Sequence, residues 1–345
     1  MIRYEFIAMR SGAPYRVLQV PVDCTPQIRF TGSAEVKSTV TLTAELDADI
    51  NWLTDMLSVV RVDNTNRTPL GLFNITTCPE SVDEYGHKTQ ELTGYDQGYA
   101  LRNLSVLERT LMIHAGTRYT TAIREQLLAA GINVVSIIDT DEVLMTDHEW
   151  EIGTTRYAVV AALLAEINYR DIYFDGNGVA VAEPWEPASI NNRTHRYGPD
   201  ESTLLSIPMS IEADTFDAAN VFVDIVSSAD LGKELRAVAE NVNPTSPLSI
   251  MRRGRRIVNV ETVEGIASQE ALETHAKNRM LLSMMGAANY SFTSCGDAEQ
   301  PHRLNDSILM MRDGIGLLEE QEWTLDCVPG GQMTHTAKKV FYSID

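Results

Sequence analysis

From Val36 to Leu46 the chain alternates, with Val36, Val40, Leu42, Ala44 and Leu46 on even positions, broken only by Ser38, and polar residues on the odd ones. A period of two sends successive side chains to opposite faces, so this stretch reads as a strand with one face in a core and one in water. Tyr15 to Val20, Gln27 to Phe30, Gly71 to Thr77 and Lys88 to Gly94 repeat the pattern between Pro, Gly and Asn/Asp turns. Five or more short strands before any long helix predict a small barrel or sandwich over residues 1–97. Asp49 to Leu57, with an acid at its start and apolar residues at Ile50, Leu53, Met56 and Leu57, predicts a helical interruption there.

Near Leu101 the period changes. Gly116-Thr117-Arg118-Tyr119, followed by Ile123, Leu127 and Leu128, has an echo in Gly153-Thr154-Thr155-Arg156-Tyr157, followed by Val160, Leu163 and Leu164. The two copies predict a tandem duplication in which Gly-Thr opens each helix and the threonine hydroxyl caps it. Val134 to Ile138 between them reads as a short buried strand, and Ile172 to Ala182 as a hairpin turning at Asp175-Gly-Asn177-Gly178. Residues 98–194 are therefore expected to form one inserted α+β domain.

Beyond a polar connector from Pro184 to Pro199, the two-residue period returns. It runs through Val221 to Ile225, Ile257 to Val260, Tyr290 to Thr293, Trp323 to Cys327 and Met333 to Thr336. One helix interrupts it, started by Ser268, striped by Leu272, Ala276, Met280 and Met284, and stopped by Gly286. The expected fold class is α+β, mostly β: two similar small β-barrel domains with an inserted mixed α+β domain. The first barrel, residues 1–97, would be completed by about 195–216, and the second would occupy 217–345.

Composition narrows the function classes. The chain has 345 residues, 48 acidic against 28 basic, a formal net charge of −20 and 44% hydrophobic residues. Disordered and collagen-like classes are excluded. So is a surface that grips duplex nucleic acid, since that affinity comes mainly from Lys and Arg displacing counterions from phosphates. Cys24, Cys78, Cys295 and Cys327 are far apart and never form Cys-x-x-Cys, which implies neither a zinc site nor a disulfide framework. Glu5 interrupts any secretory apolar stretch, and the longest apolar run, Ala158 to Ala165, is too short to span a membrane. The expectation is a soluble product made in a cytoplasm, without membrane insertion.

Catalytic signatures are missing. Asp175 to Glu186 imitates a calcium loop, but Val179 stands at its fifth position and Ala180 where the glycine is required. There is no phosphate-binding loop, no His-Glu-x-x-His and no Gly-x-Ser-x-Gly. The seven histidines are expected at the surface or at caps. No catalytic residue, metal site or cofactor is expected, and the chain reads as a non-enzyme. The unusual local feature is Arg252-Arg253-Gly254-Arg255-Arg256, four guanidinium groups in an acidic chain. Arg252, Arg253, Arg255 and Arg256 are subunit-interface candidates, because Arg can engage both oxygens of a carboxylate and so fix orientation. The plain alternative is a solvated turn before the strand at Ile257.

The order of segments Pro69-Leu-Gly-Leu-Phe73, Tyr95-Asp96, the twin Gly-Thr helices, Ile167-Asn-Tyr169, Phe174-Asp-Gly-Asn-Gly178, Asn243-Pro-x-x-Pro247 and Ile266-Ala-Ser-x-Glu270 resembles the baseplate hub proteins of tailed phages, the T-even and Mu-like hubs, and those of phage-tail-like particles. The resemblance covers most of the chain through short motifs in a shared order. It implies a homotrimer whose six barrels ring a DNA channel and adapt a threefold tail spike or tip to the sixfold tail tube. It also implies contacts with the tail tube protein, the spike or tip protein, the tape measure and other baseplate proteins, and a place in the virion. DNA would pass without specific binding. Hubs of this kind can carry a lysozyme or peptidase. This chain stops at Asp345, directly after its last strand pattern, so no wall-cutting activity is expected. The competing readings are a module that binds cell-wall glycan through the duplicated segment, and a cell-wall hydrolase.

Overall fold

The computed structural model describes residues 2–198, 205–212, 218–228, 233–263, 266, 268–285, 288–295, 302, 306–311 and 314–341. The first module contains β1 (Ile2–Arg10), β2 (Ala13–Val17), β3 (Gln27–Thr31), β4 (Ser38–Glu45), β5 (Met56–Asp63), β6 (Asn66–Thr77), β7 (Glu80–Val82) and β8 (Lys88–Tyr95). The strand order is β3-β4-β8-β6-β5-β1-β2, antiparallel throughout, with β7 on β8. The segment after β2 bonds to both β1 and β4. Leu18 N–H donates to the Phe6 carbonyl of β1, and Glu45 N–H of β4 donates to the Gln19 carbonyl, each at 2.8 Å. The predicted alternation is realised: Val40, Leu42 and Ala44 enter one core with Phe6, Leu57, Phe73 and Leu92. The helix expected over Asp49 to Leu57 does not form. Buried Asp55 instead accepts from Arg10, from the Tyr15 hydroxyl and from the Asn51 amide, which holds the segment in turns until β5 begins at Met56.

The inserted domain follows a single π-type turn, Ala100–Leu104. It comprises β9 (Leu111–Ile113), α1 (Tyr119–Ala129), β10 (Val135–Ile137), β11 (His148–Trp150), α2 (Arg156–Glu166), β12 (Tyr173–Phe174) and β13 (Ala180–Ala182). The duplication is structural. β9 pairs with β11, and each copy's helix start bonds to the other copy. Leu107 N–H donates to Thr154 C=O at 2.9 Å and Gly153 N–H to Leu107 C=O at 2.8 Å. In the mirror relation, Leu144 N–H donates to Thr117 C=O at 2.9 Å and Gly116 N–H to Leu144 C=O at 2.7 Å. Leu107 and Leu144 are buried in the same core as Ile123, Leu127, Val160 and Leu164. Thr117 and Thr154 therefore contribute their carbonyls, and the expected threonine hydroxyl cap forms in the second copy alone. Thr155 caps α2 by accepting from Ala158 N–H, and α1 starts at Arg118 with no side-chain cap. The strand at β10 is not buried as expected, since it pairs only with β13 and leaves Val134 and Ile138 exposed.

The next strands depart from the expected boundaries. β14 (His195–Tyr197) and β15 (Leu205–Glu212) do not complete the first module. β14 lies parallel to β20 and β15 antiparallel to β19, both in the second module. β16 (Val221–Ser228), β17 (Lys233–Glu240), α3 (Ile250–Arg253), β18 (Val258–Thr262) and α4 (Gln269–Met285) then form a unit of their own. Its sheet, β17-β16-β18, includes a parallel β16–β18 pair, and α4 covers one face. The strands at Val221 and Val258 thus belong to a second α+β insertion rather than to a barrel over 217–345. A parallel pair needs the chain to return to its starting end; antiparallel β17 makes that return, and α3 with its flanking loops carries the chain past β16 to the start of β18. Ser268 caps α4 as expected, accepting from Ala271 N–H at 3.0 Å, while Gly286 lies outside the described residues.

β19 (Asn289–Cys295), β20 (Ser307–Met310), β21 (Gly316–Asp326) and β22 (Gln332–Lys339) complete the second module in the order β15-β19-β22-β21-β20-β14. β21 serves both modules. Its first half pairs with β20 and its second half with β3. Trp323, Leu325 and Met333 accordingly enter the core of the first module, where Trp323 stacks on Phe30 at 5.7 Å. The four cysteines are free thiols.

Candidate functional site

The arginine segment begins as the last turn of α3. Ser249 caps α3 by accepting from Arg252 N–H, and Gly254 closes it at φ 65°, a left-handed conformation suited to glycine. Arg252 donates to the Pro244 carbonyl at 2.8 Å, Arg253 donates to the Ala218 carbonyl, and Arg256 grips both oxygens of Glu240. That double contact holds the Glu240 carboxyl below its ordinary range. Arg252, Arg255 and Arg256 remain exposed, so three of the four guanidinium groups stand at the surface.

The sheet beside this segment has one face covered by α4 and an opposite face on which central Val221 and Val223 are buried while valines of the flanking strands are exposed. Asp224, Asn259 and Glu261 face α4, where Asp224 is fully buried between His275, at 2.7 Å, and Arg279. Strand alternation places Val223, Val258 and Val260 on the opposite face. The register aligns Val238, Val223 and Val260 in one row across all three strands, and Glu240, Val221 and Val258 in the next. Val238 is 45% exposed, Val258 53% and Val260 60%. Met251, within α3, and Val242, after β17, are also exposed. An apolar row with a charged margin has the composition of a protein contact surface.

The histidines divide. His87 and His114 are exposed beside Asp83 and Asp147, as expected. His148 instead pairs with Glu166 at 2.9 Å, which also accepts from the Tyr119 hydroxyl at 2.6 Å. His302 and His335 are fully buried in the second module on either side of Glu320, a correction to the surface expectation. The sequence carried a signal for His335, since alternation through Met333, His335 and Ala337 sends all three inward. No helix among the described residues is long and apolar enough to cross a membrane.

No family model matches the sequence, and no curated protein does. Solved structures do match. A tail protein from Neisseria meningitidis is 14% identical and aligns over 98% of both chains with a TM-score of 0.70. A 43 kDa tail protein of prophage MuSo2 from Shewanella oneidensis is 13% identical, over 96% of this chain and 98% of its own, with a TM-score of 0.66. A type VI secretion component of Escherichia coli, described as similar to T4 bacteriophage tail proteins, is 11% identical over 94% of this chain and 75% of its own, with a TM-score of 0.53. The chain has the fold of these phage tail and type VI secretion proteins.

Proposed function

We propose that this chain is a structural hub of a phage tail or tail-like particle. Three copies form a ring in which the two β modules of each copy act as barrels around a DNA channel, adapting a threefold tip or spike to the sixfold tube. The observation that carries the reading is the fold, shared over 98% of the length with a phage tail protein and so including both modules and both insertions. The bonds from the segment after β2 to β1 and β4 support barrel closure in the first module. The strand β21, common to both modules, supports a fixed angle between them.

The apolar row of Val238, Val223 and Val260 is the candidate contact with a second copy or with another tail protein. Arg256 borders this face through Glu240, and with Arg252, Arg253 and Arg255 it is the candidate for setting orientation. The net charge of −20 suits a channel through which phosphates slide without binding. The role is architectural rather than enzymatic. The place is the virion tail or baseplate, after synthesis in the host cytoplasm, with the tube, tip or spike, tape-measure and other baseplate proteins as partners.

Native mass spectrometry of the full chain, alone and with its tail tube and tip proteins, tests this reading. Three copies in the free or partner-bound species are expected, and Val260→Asp should weaken that assembly while leaving the circular dichroism spectrum unchanged. A chain that stays monomeric alone and with both partners would overturn it.

A further inference from the structure

We propose that the second β module contains a binding site for a divalent first-row transition ion, formed by His302, Glu320 and His335. The three side chains come from a loop, from β21 and from β22, and their potential ligand atoms all lie within 4.8 Å of one another. All three are fully buried. His302 Nδ1 lies 2.6 Å from Glu320 Oε2, and His335 Nδ1 lies 2.7 Å from the same oxygen. Two imidazoles and one carboxylate are a donor set that suits zinc, with a fourth position left for water.

The strand geometry accounts for the acid inside the core. Glu320 shares the inward parity of Leu318, and a register shift between Glu320 and Glu322 then changes the phase, so Trp323 and Leu325 also point inward. A bulge re-aims side chains in this way and recurs beside functional sites. The surroundings are largely aromatic. Phe292 stacks on His335 at 4.6 Å, and Tyr197 packs edge-on against Phe292. A carboxylate in such a place costs several kcal/mol unless it is compensated, and a dication bound to it supplies that compensation.

The outer groups also fit. A ligating histidine needs a partner for its other ring nitrogen, which fixes the ring and its tautomer. His335 Nε2 lies 2.8 Å from Ser294 Oγ, and His302 Nε2 lies 3.4 Å from the Tyr197 hydroxyl. Both oxygens can accept a ring N–H. The ligand atoms, now at hydrogen-bond separations, would open to roughly 3.3 Å around an ion bound at about 2.0–2.1 Å. Small side-chain rotations suffice for that change.

The test uses the full-length, untagged chain with Cys78→Ser, which removes the exposed thiol as a competing ligand. After chelator treatment, the protein is equilibrated with zinc and dialysed, and its metal content, its melting temperature and the visible spectrum of a cobalt-loaded sample are measured. The expected results are about one zinc per chain, a higher melting temperature with zinc, and cobalt bands without thiolate charge transfer. Glu320→Gln and His335→Asn should each lower zinc affinity by roughly 100-fold or more. Wild-type ligands that retain less than about a tenth of an equivalent of zinc would overturn the proposal, as would thiolate bands on cobalt or equal retention by both variants. Should the variants fail to fold, metal content and the cobalt spectrum of the chain with all three ligands decide.

Discussion

Lys37 of the first module donates its ammonium hydrogens to Asp171 of the inserted domain and to the carbonyls of Gly32 and Ala34. The lysine side chain is only 3% exposed, whereas that of Asp171 is 34% exposed. Asp171 also accepts from the Tyr157 hydroxyl at 2.6 Å, so one carboxylate ties the module to the start of α2.

The asymmetry of that pair predicts unequal mutational costs. Lys37→Met leaves a carboxylate that water and Tyr157 still reach, and is expected to cost about 1–3 kcal/mol. Asp171→Asn removes the counter-charge of the buried ammonium, leaving it the Gly32 and Ala34 carbonyls, and should cost more, roughly 3–5 kcal/mol. Urea denaturation of the two variants checks the order.

Asp96 predicts a pH dependence. Burial pushes its carboxyl up to about 6, although the amides of Ser38 and Gly98 donate to it. Its unfolded value is near 3.8, so between these values the folded chain binds more protons than the unfolded one. Stability from this group is therefore fully present below about pH 4 and is lost as pH rises through about 6, by on the order of 3 kcal/mol. Asp96→Asn should flatten that window while imposing a constant loss, because the amide group cannot accept from both N–H groups as the carboxylate does. Melting curves from pH 4 to 7 measure both effects.

The reciprocal bonds of the inserted domain predict matched effects. Leu107→Ala and Leu144→Ala each empty a buried position at the same point of the two copies and should each cost about 2–5 kcal/mol, within about 1 kcal/mol of one another. The double variant should depart from additivity, because both side chains enter one core. Equilibrium unfolding of the three variants is the measurement.

Gly176 sets the seat of the insert on the first module. A Cβ there would lie 2.0 Å from the Pro69 carbonyl oxygen of β6. Gly176→Ala should push the hairpin off β6 at a cost of about 1–3 kcal/mol. Hydrogen exchange is expected to accelerate at β12 and β13 more than at β4 or β8.

Much of this architecture was legible because alternation reports a half-buried strand directly. Val40, Leu42 and Ala44 are inward as read, and so are Tyr290, Phe292, Trp323 and Leu325. The paired Gly-Thr segments announced their duplication because Gly116 and Gly153 both adopt positive φ, at 84° and 88°. What alternation does not carry is partner choice. Nothing in Val221 to Ile225 says that its neighbour is the parallel strand at Val258, and nothing in His195 to Tyr197 says that it pairs with Ile308 to Met310. Lys37 was missed for a related reason. It occupies a polar position, and its burial depends on a carboxylate 134 residues away. His302 and Glu320 likewise meet only through tertiary packing, so no local spacing marks them.

Because β21 and β3 are neighbours in one continuous sheet, the two modules are joined by a ladder of backbone hydrogen bonds. Separating the modules would require breaking the bonds between residues 27–31 and 322–326, so load applied to one reaches the other through that ladder.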